Sequence, residues 1–336
     1  MTELIPAHLD HRRLWRDFVY CYPVISRRSR GVSLGVNLNP DKVCNFNCVY
    51  CEVDRHSPPK RKDLDLDLLE QELGLLLDLA TNGEIYQTRP FDSARPEHRR
   101  LNDIAFSGDG EPTTSPVFSE VVARVARLKD QRGLDLVKMV LITDSSRLQA
   151  PDVVLGLATL MAHQGEVWAK LDAGTEAYYQ EICRSQVPFE RILDNLLVTA
   201  RRWPILIQTL FLAWQGAGPS EAELEAYCGR LEHILAQGGR LQALQLYTVA
   251  RATPEPEARP LRRLEMDAIA ASLRGHGGRG GRHGHGGLER RSSWFPSQFT
   301  NFVQSVVWPR ITCAKPPLQP VARPGPSCWT SCSWCR

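Results

Sequence analysis

From about residue 32 to residue 273 the chain alternates short apolar runs with longer amphipathic ones. VSLGVNL (32–38), DIAFSG (103–108), KMVLIT (138–143), EVWAKLDA (166–173), ILIQTLFLAW (205–214) and LQALQLYTVA (241–250) are nearly continuous apolar stretches. Such runs predict strands buried on both faces. Between them, DLDLLEQELGLLLDLA (65–80), PVFSEVVARVARLKDQ (116–131), PDVVLGLATLMAH (151–163), FERILDNLLVTARRW (189–203), SEAELEAYCGRLEHILAQ (220–237) and PLRRLEMDAIAASLR (260–274) place apolar residues three and four apart. That period predicts helices, with Pro151 in a first turn and Ser220 as a cap. Six strand-then-helix units predict an α/β domain with a parallel sheet covered by helices, either a partial (β/α)6 barrel or an open doubly wound sheet. In both, functional residues belong at the C-terminal ends of the strands.

The pattern stops after Arg274. GHGGRGGRHGHGG (275–287) and a proline-rich stretch follow, with only FTNFVQSVVW (299–308) reading as structured. This composition predicts disorder, and an abrupt break of this kind also fits a lost reading frame. The expected division is an N-terminal extension (1–30), a core domain (31–273) and a low-complexity basic tail (274–336). The charge follows the same division. The formal net charge is +3, but nine Lys/Arg against one acid, Glu289, lie from Arg274 onward, leaving residues 1–273 at −5. The core thus lacks the overall basic character of a nucleic-acid binder. SRRSRG (26–31) is a local basic cluster that reads as a solvated loop or an anion site.

The start MTELIPAHLDHRRLWRD is polar, and the longest apolar run is too short to span a bilayer. A cytoplasmic location is expected, with no membrane partner, and the ten cysteines are expected as thiols or metal ligands. Three of them form CNFNCVYC (44–51) directly after the first strand: Cys44, Cys48 and Cys51. Three thiolates are one short of a closed structural zinc site or a fully protein-ligated [4Fe–4S] cluster, which leaves one metal position open to a ligand. The structural alternative is a zinc site completed by His56. The same spacing returns at Cys328, Cys332 and Cys335, without strands or polar loops around it. Cys183 and Cys228 sit inside helical patterns and read as buried structural thiols, while His56 and His98 lie in polar loops and are expected in solvent.

CNFNCVYC, with an aromatic residue before its last cysteine, resembles the radical S-adenosylmethionine (radical SAM) superfamily. The resemblance covers most of residues 31–273. It implies a [4Fe–4S] cluster on Cys44, Cys48 and Cys51, S-adenosylmethionine on the fourth iron, and reductive cleavage of SAM to start radical chemistry. GDGEP (108–112) resembles the glycine-rich stretch that binds the SAM amino group, which makes Gly108, Asp109, Gly110 and Glu111 cofactor-binding candidates. KLDAG (170–174) falls where members place polar groups near the SAM ribose or carboxylate. Asp172 and Lys170 are candidates there, with Lys170 the one catalytic candidate and a strand-capping ion pair the structural alternative. TDSS (143–146) adds Thr143 and Ser145, as ligands or as a simple turn. Within the superfamily, SRRSRGVSLGVN, FSGDGEP and KLDAG together look like the wyosine-synthetase-like branch. Characterised members rebuild a methylated guanine in tRNA and carry a second cluster on additional N-terminal cysteines, whereas here only Cys21 precedes Cys44. The resemblance implies a reducing electron donor such as flavodoxin or ferredoxin, and a modified nucleoside or tRNA as candidate substrate. A function of another class is a non-catalytic zinc or iron–sulfur RNA-binding protein using the basic tail.

Overall fold

The computed structural model of the protein describes residue 15 and residues 17–26, 31–251, 253–276 and 303–307. Residues 27–30 of the basic cluster, the stretch 277–302 and the second cysteine triplet lie outside these. Six parallel strands follow one another in space in their order along the chain: β2 (Gly31–Val36), β3 (Leu101–Phe106), β4 (Lys138–Thr143), β5 (Gly165–Lys170), β6 (Ile205–Leu210) and β8 (Leu241–Tyr247). An edge strand, β1 (Cys21–Ser26), pairs antiparallel with β2, and β10 (Val303–Val307) pairs parallel with β8. Each consecutive pair of the six is joined through at least one helix. These are α1 (Leu66–Thr81), α2 (Phe118–Gln131), α3 (Pro151–Ala162), α4 (Glu176–Cys183) with α5 (Phe189–Arg202), and α6 (Glu221–Ala236). A seventh helix, α7 (Arg263–His276), follows β8.

This order decides between the two predicted architectures. A doubly wound sheet reverses its strand order at a switch point, and here no reversal occurs. Unreversed crossovers of one hand put every helix on the same face of the sheet, so the other face curls toward itself as a partial (β/α)6 barrel. The packing shows both faces. Val32, Leu34, Ile104, Phe106, Met139, Leu141, Ile205 and Ile207 belong to the large core shared with the helices. Ala105, Val140, Trp168, Leu206 and Ala243, at the alternate positions, form a separate cluster on the inner face. Burial on both faces is why these strands read as continuous apolar runs.

Three features differ from the sequence expectation. ILIQTLFLAW is two strands: β6 ends at Leu210, and β7 (Leu212–Trp214) leaves the main sheet to pair antiparallel with β9 (Ala258–Pro260). Phe211 at the bend is 1% exposed, and its amide donates to Tyr247 O at 2.9 Å, so an uninterrupted apolar run conceals a change of sheet. The eight-residue helix α4 is too short to show a period. His98, expected in solvent, is buried at 6% exposure between α1 and β3.

The caps are visible in the sequence. Asp65 accepts from Leu68 N at 3.0 Å at the start of α1, and Ser220 accepts from Glu223 N at 3.2 Å at the start of α6. Each cap is worth about 1 kcal/mol. Buried Glu72 on α1 does more. Its carboxylate accepts from Val19 N (2.7 Å), Tyr20 N (2.8 Å) and Cys21 N (2.9 Å), fixing the chain as it enters β1. Removing it strands three amides, each a group whose hydrogen bond to a charge is worth about 1.5–3 kcal/mol. Glu72→Ala is therefore expected to lower unfolding stability by about 3 kcal/mol. Urea denaturation followed by circular dichroism checks this; a loss under about 1 kcal/mol would contradict the role.

Candidate active site: a three-cysteine loop at the barrel mouth

The loop after β2 has no regular structure of its own and is held from outside. Asn37 sits at its root, where Oδ1 accepts from Asn39 N (3.1 Å) and Asp109 N (3.0 Å) and Nδ2 donates to Asp109 Oδ2 (2.9 Å). Asn45 Nδ2 donates to Ser146 Oγ at 2.7 Å, Ser185 Oγ donates to Asn45 O at 3.2 Å, and the rings of Phe46 and Tyr179 meet edge to face at 5.8 Å. Asn47 N and Val49 N donate to the last carbonyls of α4, Cys183 O (3.1 Å) and Ile182 O (2.9 Å). The loop is thereby tied to the ends of β3, β4 and α4 together.

GDGEP closes on it from the β3 side. A Cβ on Gly108 would lie 2.1 Å from Asn37 Oδ1, and one on Gly110 would lie 2.1 Å from Val43 O. Both glycines are thus demanded by the close approach of the cysteine loop. Glu111, a candidate ligand for an ammonium, is 3% exposed, and its oxygens are already engaged. Oε1 accepts from Thr113 N (3.1 Å), Thr113 Oγ1 (2.5 Å) and Thr143 Oγ1 (2.7 Å); Oε2 accepts from Asp144 N (2.6 Å). Burial raises its pKa, and these donors pull the other way. Glu111 therefore clamps the β3 loop to the β4 loop.

Cys44, Cys48 and Cys51 are free, half-buried thiols that open onto one cavity of about 380 Å³. Gly108, Asp109, Gly110, Glu111, Thr143, Lys170 and Asp172 line the same cavity, whereas Ser145 does not. Ser145 is buried at φ +73° and donates to Lys170 O at 3.1 Å, joining the ends of β4 and β5. The three thiols differ. Burial pushes the Cys44 thiol up to about 12, with the Phe46 amide opposing and the nearby Asp144 adding to the rise. A hydrogen bond from Cys183 draws Cys48 below the ordinary thiol value. Arg55 Nη2 lies 3.6 Å from Cys51 Sγ.

KLDAG divides into two roles. Lys170 Nζ is 3.0 Å from Asp172 Oδ2, donates to Tyr247 Oη at 2.6 Å, and lies 5.1 Å from the ring centroids of both Tyr50 and Tyr247. Burial opposes its charge, yet Asp172 and Tyr247 hold its pKa above the usual lysine value. Asp172 Oδ1 accepts from Leu210 N at 2.8 Å, and Oδ2 also accepts from Tyr50 Oη. The strand-capping ion pair foreseen as an alternative exists, and it also forms a cavity wall. Gly174 is a packing residue: a Cβ there would lie 2.1 Å from Tyr227 N of α6.

Sequence reasoning missed Asp144. It belongs to TDSS (143–146), but nothing in that tetrapeptide singles it out. It lines the cavity; Oδ1 accepts from Ser146 N at 2.9 Å, while Oδ2 is buried and has no hydrogen-bond partner. Burial first, and Glu111 beside it, raise its pKa well above the usual carboxylate range. A desolvated acceptor facing a cavity is costly unless something completes it.

The donor set fits an iron–sulfur cluster. Three unpaired thiols meet one cavity, and the orphaned Asp144 oxygen lies among its walls. Among the described residues no three His, Cys, Asp or Glu side chains are gathered as one metal ion would need, and His56 is exposed. Cys21, which alone precedes the triplet, is packed in β1 with Sγ 3.7 Å from Leu69 O and is outside the cavity lining.

The class these features define is an α/β protein on a partial barrel, with a three-cysteine loop at the C-terminal mouth of its parallel strands. No family model matches the chain. A UPF0026 protein of Helicobacter pylori is 30% identical over 132 residues, covering 39% of this chain and 36% of that protein. A UPF0026 protein of Methanocaldococcus jannaschii is 26% identical over 177 residues, 52% of this chain and 47% of that protein. A Brachyspira hyodysenteriae protein named GTPase Obg is 22% identical over 247 residues, 73% of this chain and 32% of that protein. The chain thus spans about a third to a half of the length of the curated relatives it matches. The phosphate-binding pattern GxxxxGK[ST] does not occur in its sequence. Among solved structures, TYW1 with a lysine–pyruvate adduct bound aligns with TM-score 0.47 at 15% identity, covering 73% of each chain. Streptococcus suis SuiB bound to S-adenosylmethionine aligns with TM-score 0.49 at 11% identity, covering 74% of this chain and 49% of that one. Structural likeness at that level is distant, and the weight falls on the UPF0026 matches. The fold agrees with the partial barrel that the radical SAM resemblance implies.

Glu111→Ala is expected to cost about 3 kcal/mol in the metal-free protein, because four donors lose their acceptor. Gly110→Ala is expected to destabilise by about 1–3 kcal/mol through forced backbone movement. Chemical denaturation of both variants checks this; wild-type midpoints would show that the two loops are not clamped.

Proposed function

We propose that the protein is a radical SAM enzyme in which Cys44, Cys48 and Cys51 hold a [4Fe–4S] cluster and S-adenosylmethionine occupies the adjoining cavity. The observation that carries this reading is the convergence of three free thiols, the GDGEP backbone and the unpartnered Asp144 oxygen on one cavity. When bound, such a cluster supplies the electron that cleaves SAM and starts radical chemistry.

The chain's own residues then have distinct tasks. The glycines of GDGEP expose backbone polar groups along the cofactor. Asp144 offers an already desolvated acceptor to an ammonium or hydroxyl donor, and a bound cation would offset the penalty on its charge. Lys170, ion-paired with Asp172 and flanked by the Tyr50 and Tyr247 rings, offers its ammonium hydrogens to a carboxylate. Toward the lumen the cavity continues past Tyr22, Trp168 and Gln208. Aromatic faces beside an amide suit a planar, hydrogen-bonding ring, which supports a modified nucleoside, free or within tRNA, as substrate. An external one-electron donor such as flavodoxin or ferredoxin completes the system.

Anaerobic reconstitution with iron and sulfide tests the reading. About four irons and four sulfides per chain are expected, with 5′-deoxyadenosine formed from SAM after reduction. Cys44→Ala, Cys48→Ala and Cys51→Ala are each expected to abolish the brown chromophore and SAM cleavage; wild-type iron and turnover in any of them would sink the assignment. A protein that takes up one zinc and cleaves no SAM would instead favour a non-catalytic module. Asp144→Asn is expected to keep the cluster while weakening SAM binding about tenfold, since one charge-assisted hydrogen bond is lost. Calorimetric titration of the reconstituted variant measures it, and unchanged affinity would remove Asp144 from the binding set.

A further inference from the structure

One wall of the cavity is built by the edge strand that the apolar pattern conceals. Tyr22, Val24 and Ser26 alternate along β1, and with Ser33 and Gly35 of β2 they line the cavity. Tyr22 stands opposite Gly35 in the antiparallel register, and Gly35 lies two residues before Asn37 at the root of the cysteine loop. A Cβ on Gly35 would lie 2.2 Å from Tyr22 Cζ and 2.6 Å from both Cε1 and Cε2. The two equal distances exceed the first by what one ring bond adds at a right angle, so that Cβ would sit on the ring normal. The ring therefore lies flat on the β2 backbone, and its opposite face is the one left to the cavity. It is pinned at both ends. The hydroxyl is 3.1 Å from both Ser107 O and Ser107 Oγ, one residue before GDGEP. On the backbone side, Glu72 holds the amides of residues 19, 20 and 21.

We propose that Tyr22 is a specificity-determining residue, whose cavity-side ring face is the platform on which the planar heterocycle of a nucleoside substrate stacks. This rests on the function proposed above and deepens it. Unpaired bases are held by stacking on aromatic side chains, and every base has a face to offer. A platform must also stay put, and a ring wedged on a glycine and anchored at its hydroxyl cannot turn aside. The neighbouring wall is low: Gly35 pairs with Ala105 of β3, so two small residues leave depth above the ring. Trp168, the other large aromatic residue of the lumen, is differently placed. It packs with Ala105, Val140, Leu206 and Ala243, and its Nε1 donates to Glu166 Oε2 at 2.9 Å, which makes it part of the inner apolar cluster. Covering a cross-strand glycine is in itself a packing role. The cavity on the far face of Tyr22 is what packing does not call for.

The test titrates reconstituted full-length protein, saturated with SAM, with 2-aminopurine riboside, a nucleoside whose fluorescence is quenched when it stacks. Iron content and circular dichroism control for assembly and folding. Wild type is expected to bind and quench the probe. Tyr22→Leu removes the aromatic face and is expected to bind it about ten- to hundredfold more weakly, with SAM affinity unchanged. Tyr22→Phe keeps the ring and is expected to bind the probe as the wild type does. A comparison within the wild type needs no variant to fold: dihydrouridine, whose saturated ring is not flat, is expected to compete about tenfold more weakly than uridine. Equal probe affinity in wild type and Tyr22→Leu would overturn the proposal, as would equal competition by the two uridines. So would equal losses in both variants, which mark the hydroxyl, or a parallel loss of SAM affinity in Tyr22→Leu, which marks a cofactor wall. A wild type that binds none of these nucleosides overturns it too. Each of those outcomes leaves the radical SAM reading standing, whereas a wild-type protein that assembles no cluster would bring down both.

Discussion

The site depends on the contact between two stretches of irregular backbone. The cysteine loop makes no helix or strand, so nothing within it fixes where its thiols point. The GDGEP turn lies against it so closely that Gly110 leaves no room for a Cβ beside Val43 O, and Asn37 ties the two stretches through two hydrogen bonds to Asp109. From there the constraint spreads. Glu111 joins that turn to the end of β4, Ser145 joins β4 to β5, and Asp172 joins β5 to the start of the bend after β6. Neighbouring strand ends are thus tied in sequence around the mouth, and the thiols inherit their positions from that series of clasps.

The lining has a consistent electrostatic division. At the end of β4, Asp144 is buried with less hydrogen bonding than its charge demands. At the neighbouring end of β5, a lysine is kept protonated by a carboxylate and flanked by two aromatic rings. Preorganised charge of this kind lowers the reorganisation needed on binding, at the expense of folded-state stability.

Much of this architecture is legible in the sequence, and particular residues show where legibility ends. The six core strands are visible because burial on two faces leaves no polar interruption, and α2 and α5 are visible because they are strongly amphipathic. β1 is hidden by Pro23, which an edge strand tolerates but an apolar-run criterion does not. The thiols at 44, 48 and 51 announce themselves by spacing. Glu111 and Asp144 stand close together in space at the ends of neighbouring strands, and their chemistry differs only in how many donors reach each one. No local pattern encodes that count. Cys183 reads as a buried thiol and is one, at 2% exposure.

The distances along the chain that the site spans carry a consequence for its biosynthesis. Asn45 is fastened by Ser146 and Ser185, partners 101 and 140 positions later, and Tyr50 by Asp172, 122 positions later. At ribosomal speeds of about 5–20 residues per second, the thiols leave the exit tunnel roughly 7 to 30 seconds before their last anchor is made. During that interval the loop is an unstructured, oxidisable peptide. Until the fourth crossover has closed, the three thiols have no walls around them, and a ribosome stalled before it exports a nascent chain with these thiols unguarded.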